Sequence, residues 1–327
     1  MDASFLPIDA QTVTIDTIKP FDVFFSANGK MSMYSAGGEQ LHDGVDKDSA
    51  EAEKGSFYIL KKDAAYYQLY LEEVLGTLLE NPGINGNVKA RTAYHAILNI
   101  AKSLFTNPDE KFMRRYRVVI RDTVDYILRD DNALRLLINL TNFDYSVLNH
   151  SVNVGIFSVG LAKEIFKDRD KHDFGEIGIA MFLHDIGKTA IPIEILNKKG
   201  PLSNLDWKFV KRHPEEGLRI LDGMDMLTRE AEAIVGQHHE RLDGSGYPKG
   251  LRGDQIHMYS QICAVADTFD GMTSKRPYRK EYTTFNAMKI MKHEVFKDFP
   301  PLFFTTFIKM LSSNPVTTPT ATVQAAE

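Results

Sequence analysis

From Ser146 onward, the helical patterns of this chain carry imidazoles and carboxylates on faces that would otherwise be apolar. His150 sits between Leu148 and Val152, on a stripe that continues through Ile156 and Val159. His184 follows Ile177, Ala180 and Met181 at helical offsets, and Asp185 is its neighbour. His213 lies in Lys211-Arg212-His213-Pro214. His238 extends the stripe of Ala231, Ile234 and Val235, with His239 beside it, and Asp267 interrupts the apolar run from Ile262 to Phe269. One histidine on such a face is ordinarily a hydrogen-bonded core residue. An ordered series of five, with two carboxylates, constrains the fold to a helical bundle that gathers them at one interior point.

A buried carboxylate without a partner is costly, and several neutral imidazoles together leave lone pairs unmet. A cation satisfies both. Nitrogen and oxygen donors without thiolate suit iron, manganese or zinc rather than calcium. Seven ligands exceed the three or four of a single catalytic metal. Two divalent ions bridged by Asp185 would use them all. Metals spaced ~3.5–4 Å apart suit phosphoester hydrolysis, because they activate a bridging hydroxide and neutralise phosphoryl charge.

Organisation follows from periodicity. Residues up to about 65 read as short strands. Val13-Thr14-Ile15 and Phe21 to Phe25 are β-type runs, and Asn28-Gly29 predicts a hairpin to Met31–Tyr34. Phe57–Leu60 is a further strand. From Ala64 the period turns helical, with Tyr67, Leu71, Val74, Leu75 and Leu78 on one face. Helices are then expected at Val88–Phe105, Phe112–Leu128, Ala133–Leu140, from Ser146, at Phe174–Asp185, Leu205–Leu221, Thr228–His239, Gln255–Phe269, Thr284–His293 and Leu302–Leu311. The fold class is mainly α: an all-α bundle preceded by a small α+β module. The expected division is a regulatory module over 1–80, a helical connector over 81–140, a catalytic domain over 141–312 and a disordered tail over 313–327.

Composition excludes some classes. The net charge of −5 gives no general basic surface for duplex nucleic acid. The single cysteine, Cys263, rules out a disulfide framework and fits a reducing cytoplasm. The first residues lack the order of a signal peptide, and no apolar run reaches the ~18 residues of a membrane span. The expectation is a cytoplasmic protein without a membrane span.

The order His150-Ser151, His184-Asp185-Ile186-Gly187-Lys188, His213-Pro214, His238-His239-Glu240-Arg241, Asp243-Gly244-Ser245-Gly246-Tyr247-Pro248, Asp267 and Arg276-Pro277-Tyr278-Arg279 resembles the HD-GYP family. That family is a branch of the HD phosphohydrolases. The likeness runs from about Asn142 to Leu311. It implies a bacterial phosphodiesterase that hydrolyses cyclic di-GMP to pGpG and on to GMP. It implies metal ligation by His150, His184, Asp185, His213, His238, His239 and Asp267. Asp185, Lys188 and Asp267 would then be catalytic, with Lys188, Arg276 and Arg279 contacting substrate. Arg241, Asp243, Gly244, Gly246, Tyr247 and Pro248 would form a surface loop that can meet GGDEF-domain partners. Ser146 departs from the pattern, since relatives carry tyrosine or glutamate there, and His257 stands where proline is usual. The departure at Ser146 and the distinct N-terminal module set one alternative beside the enzyme, a module that binds cyclic di-GMP or a partner without turnover; a phosphohydrolase for another nucleotide is the other. Glu240 and Asp243 read as orienting groups. His42, His95, His172, His257 and His293 read as surface residues.

Overall fold

A computed structural model of the chain describes residues 4–13, 17–27, 30–38, 56–141, 146–198, 200–275 and 281–314. It divides into two compact units, Met1–Asn99 and Ile100–Glu327.

The first unit holds a four-stranded antiparallel sheet in the order β1-β4-β2-β3, with β1 at Phe5–Ile8, β2 at Val23–Ala27, β3 at Lys30–Ser35 and β4 at Ser56–Leu60. Ala27 pairs with Lys30, the register that a two-residue connection requires, although Asn28 and Gly29 themselves lie outside the described residues. The strand expected at Val13 is instead the end of one helical turn, Ala10–Val13; Thr14 and Ile15 lie outside the described residues. Local polar bonds override β propensity there. Asp9 accepts from the Gln11 amide at 3.1 Å, and the Thr12 hydroxyl donates to the Asp9 carbonyl at 2.7 Å. Strand β1 has no clean alternation, and its Pro7 is tolerated because β1 is an edge. Helix Ala64–Glu80 buries all five residues of the expected face. Phe21 packs edge-on against Tyr67 and Tyr70, each at 5.5 Å.

Among the described residues, the regular elements of the second unit are helices. Its central element is Val147–Ile165, in which every residue from His150 to Lys163 is buried. Helices Phe174–Phe182, Met258–Thr273 and Pro301–Ser313 pack around it. Phe157 meets Phe269 at 5.3 Å and Phe307 at 6.1 Å. Helix Glu110–Arg129 lies against Phe174–Phe182, where Arg117 and Arg121 both pair with the buried Glu176. No helix among the described residues is long and apolar enough to cross a membrane.

Two helices differ from expectation where the polar residues lie. The run expected as Leu205–Leu221 is two helices, Asn204–Val210 and His213–Gly223. Pro214 has no N–H to give the Val210 carbonyl, so the ladder breaks. The helix from Phe174 ends at Phe182 rather than Asp185, and a short 3₁₀ turn, Ile186–Ala190, follows.

Candidate metal centre

Three of the five histidines lie just past a helix end, His184 after Phe182, His213 after Val210 and His238 after Gln237, where backbone carbonyls lack intrahelical partners. His184 Nδ1 bonds the Met181 carbonyl at 2.9 Å, His213 Nδ1 the Val210 carbonyl at 2.7 Å, and His238 Nδ1 the Val235 carbonyl at 3.0 Å. A carbonyl only accepts, so each Nδ1 carries the proton and each Nε2 presents a lone pair. The broken helices thus fix the tautomers. His150 differs: it lies inside its helix, and its Nδ1 faces Asp270 Oδ2 at 2.7 Å.

The ring nitrogens and carboxylate oxygens converge. His213 Nε2 lies 3.2 Å and His238 Nε2 3.9 Å from Asp185 Oδ1. The other oxygen, Oδ2, lies 3.4 Å from His150 Nε2 and 3.5 Å from His184 Nε2. Asp267 also spans the cluster, with Oδ1 3.1 Å from His150 Nε2 and Oδ2 3.7 Å from His239 Nδ1. Donor atoms of Asp185, His213, His238 and His239 all fall within 4.8 Å of one another, as do those of His150, His184 and Asp267. All seven expected residues are therefore brought together. His239 is the most exposed of them, with 17% of its side chain accessible.

The donor chemistry fits a divalent cation. His213 Nε2 and His238 Nε2 stand 3.1 Å apart, and with both protons on Nδ1 no hydrogen lies between them. His184 Nε2 and Asp185 Oδ1 are buried without a hydrogen-bond partner. Proximity of His213 to that oxygen is acceptor against acceptor. Burial lowers the His213 pKa to about 4 and holds His238 and His239 well below the ordinary imidazole value. Three neutral imidazoles are thus ready as ligands. Burial opposes charge on Asp185, but the Lys188 ammonium beside it outweighs that and keeps the carboxyl well below the usual range. Burial likewise opposes charge on His150, yet its bonds to Asp267 and Asp270 prevail and raise its pKa to about 10. Lys188 pairs with Asp185 Oδ2.

Asp270 is the residue that sequence reasoning missed. It is fully buried, three positions after Asp267 on the same helix, and that offset was the available signal. Besides His150, it accepts from Asn153 Nδ2 at 2.8 Å and Ser274 Oγ at 3.0 Å. Carboxylates behind a ligating histidine fix its ring. Asp270→Asn is expected to lower metal affinity by about ten- to a hundredfold with the fold intact. Competitive chelator titration measures it; unchanged affinity would remove Asp270 from this role.

Ser146 has a local task. Its hydroxyl accepts from the Asn149 amide at 3.0 Å as the N-cap of Val147–Ile165. Ser146→Ala should cost about 1 kcal/mol of stability, read by denaturant unfolding, without changing metal content. Asp144 and Tyr145 lie outside the described residues, as do Arg276 and Arg279.

The loop after His238 is built on Glu240, whose two carboxylate oxygens accept from the Lys249 amide at 2.7 Å and the Leu251 amide at 2.9 Å. Asp243 accepts from the Ser245 amide at 2.9 Å. Arg241 donates to the carbonyls of His238 and Glu240 at 3.1 and 2.9 Å. Gly246 passes so close to the chain that a Cβ would lie 2.5 Å from Arg241 N and Glu240 Cα. The Tyr247 ring is thereby stacked on His239, centroids 4.6 Å apart. Of the histidines expected at the surface, His95 and His293 are exposed, and His42 lies outside the described residues. His172 is half-buried instead, stacked on Phe166 at 4.1 Å and bonded to the Tyr259 hydroxyl at 2.8 Å. His257 is also half-buried and caps Met258–Thr273 by accepting from the Tyr259 amide.

Residues 135–299 match the HD domain family. The chain belongs to the HD domain family. The motifs from His150 to Pro248 are consistent with its HD-GYP branch. This HD protein is 37% identical over 190 residues to a cyclic di-GMP phosphodiesterase of Pseudomonas aeruginosa, covering 58% of this chain and 45% of that one. It is 31% identical over 223 residues to a cyclic di-GMP phosphodiesterase of Thermotoga maritima, covering 66% and 60%. It is 28% identical over 259 residues to 3'3'-cGAMP-specific phosphodiesterase 3 of Vibrio cholerae, covering 79% and 52%. The chain spans about half the length of the first two curated relatives it matches. An HDG"Y"P protein from Bdellovibrio bacteriovorus shares the fold, with a TM-score of 0.65 at 22% identity over 94% of this chain and 99% of that one.

Proposed function

We propose that this HD protein is a metal-dependent phosphodiesterase that hydrolyses cyclic di-GMP to pGpG and GMP at a centre of two divalent ions, with iron preferred over manganese. The observation that carries the reading is the division of Asp185, whose two oxygens face different histidine pairs. His150, His184 and Asp267 would hold one ion, His213, His238 and His239 the other, with Asp185 shared. When bound, such ions supply Lewis acidity and a water of lowered pKa. The chain's own groups do the rest. The Nδ1–carbonyl bonds keep three imidazoles in the ligating tautomer. Asp267, set between His150 and His239, would orient a water at the site. Lys188 offers an ammonium to a phosphoryl oxygen, and Arg276 and Arg279 add charge for the substrate. Asp243 to Pro248 would be the contact for a GGDEF-domain partner, and the module over 1–80 would regulate the domain over 141–312.

A second reading takes a mixed cyclic dinucleotide as substrate, favoured by the named specificity of the Vibrio cholerae relative. The test is full-length protein loaded with iron or manganese, assayed for metal stoichiometry and for products from cyclic di-GMP and 3'3'-cGAMP in parallel. Two bound metals with neither substrate cut would overturn the enzymatic reading and leave a binding module.

A further inference from the structure

A cavity of about 600 Å³ opens beside the centre, within the size range of small-ligand sites. One end is His239, the most accessible member of the cluster, with Tyr247 stacked upon it. The other end is helix Asn204–Val210, which contributes Trp207 and Lys208, with Lys211 just beyond it. Lys211 Nζ lies 5.3 Å from the Tyr247 ring centroid, so the two ends are joined by one wall of cation and aromatic faces. Lys208, Lys211 and Arg241 line the cavity, and none of its described lining residues carries a carboxylate. In a chain of net charge −5, that is a locally selected positive site.

Helix Asn204–Val210 buries none of its seven residues, yet it is firmly held. Ser203 and Asp206 form a capping box, and Lys198 pairs with Asp206 at 2.5 Å. A capped helix that displays Trp207, 47% exposed, at a cationic cavity has no core to explain the tryptophan. Indole faces stack on bases, and lysines take phosphates as point charges.

We propose that Trp207 and Lys211 form a specificity-determining subsite for the nucleotide unit farther from the candidate metal centre, the indole stacking on its purine and the ammonium meeting its phosphate. The inference rests on the cyclic-dinucleotide reading above for its substrate, but its binding test does not need turnover.

Trp207 is the only tryptophan of the chain, so its emission reports this subsite directly. GMP and cyclic di-GMP should quench it saturably, whereas ribose 5-phosphate, which lacks a base, should not. Lys211→Ala should weaken GMP binding about tenfold, and Lys211→Arg should recover most of it. Trp207→Ala should raise KM for cyclic di-GMP about tenfold with kcat within about threefold, and Trp207→Phe should fall between, with metal content and melting temperature unchanged in both. Emission indifferent to GMP while cyclic di-GMP is hydrolysed overturns the subsite and leaves the phosphodiesterase standing. Saturable quenching by GMP without hydrolysis of any cyclic dinucleotide supports the subsite and overturns the phosphodiesterase. Emission that shifts with protein concentration and ignores GMP assigns the indole to a protein contact and overturns the proposal.

Discussion

Asp185→Asn is expected to leave a folded protein that no longer retains its metals, with kcat/KM lowered by roughly three orders of magnitude or more. The substitution keeps the side chain's shape and removes one of its two oxygens. Asp185 Oδ1 serves the His213 and His238 side, and Oδ2 the His150 and His184 side. The amide nitrogen must face one of these, and a donor cannot ligate a cation. It can, however, bond an imidazole lone pair, which offsets part of the charge pairing lost with Lys188. The metal-free variant should therefore melt within a few degrees of the metal-free parent, while the stabilisation that added metal confers on the parent disappears. Thermal unfolding with and without metal, beside metal stoichiometry, reads both effects. A variant that keeps two equivalents of metal and full activity would remove Asp185 from the shared position.

The second large effect comes from a residue with no side chain. A Cβ on Gly187 would lie 1.9 Å from the His213 carbonyl oxygen and 2.4 Å from Gly217 N, both backbone atoms of helix His213–Gly223. Neither can swing aside as a side chain would. Gly187→Ala must push that helix away from the 3₁₀ turn Ile186–Ala190, and His213 moves with it. The expected loss is about 3 kcal/mol or more in denaturant unfolding, together with weakened metal retention. Gly223→Ala is the control, since a Cβ there meets nothing within 4 Å, and should stay within about 1 kcal/mol of the parent. Equal stability of the two variants would refute the close-approach account.

These two residues also mark how far the sequence was readable. Asp185 was legible because a carboxylate adjoining an imidazole on an apolar face has few uses other than ligation. The face of helix Ala64–Glu80 and the pairing of β2 with β3 were legible for a similar reason: periodicity and a two-residue turn are local signals. Gly187 was visible only as a letter in a motif. Its reason is a contact with a helix 26 residues farther on (213 − 187), which no local pattern encodes. Asp270 was passed over although it shares a face with Asp267, because its partners His150 and Asn153 come from another helix. Ser146 read as a departure from a pattern and proved to be a helix cap, a task that needs only the next turn of its own chain.

The sequence by itself determined which side chains could meet a cation, and that a helical bundle had to carry them inward. Hydrophobic periodicity and donor chemistry are properties of residue type and spacing, so they survive without coordinates. Only the tertiary structure decided how the donors are aimed. Helices that stop at Phe182 and Val210 leave carbonyls that take the Nδ1 protons of His184 and His213, as Val235 does for His238, and the Nε2 lone pairs turn toward the two oxygens of Asp185. That aim is set by where backbone hydrogen bonding ends and by what packs against it, which is decided between helices rather than within them.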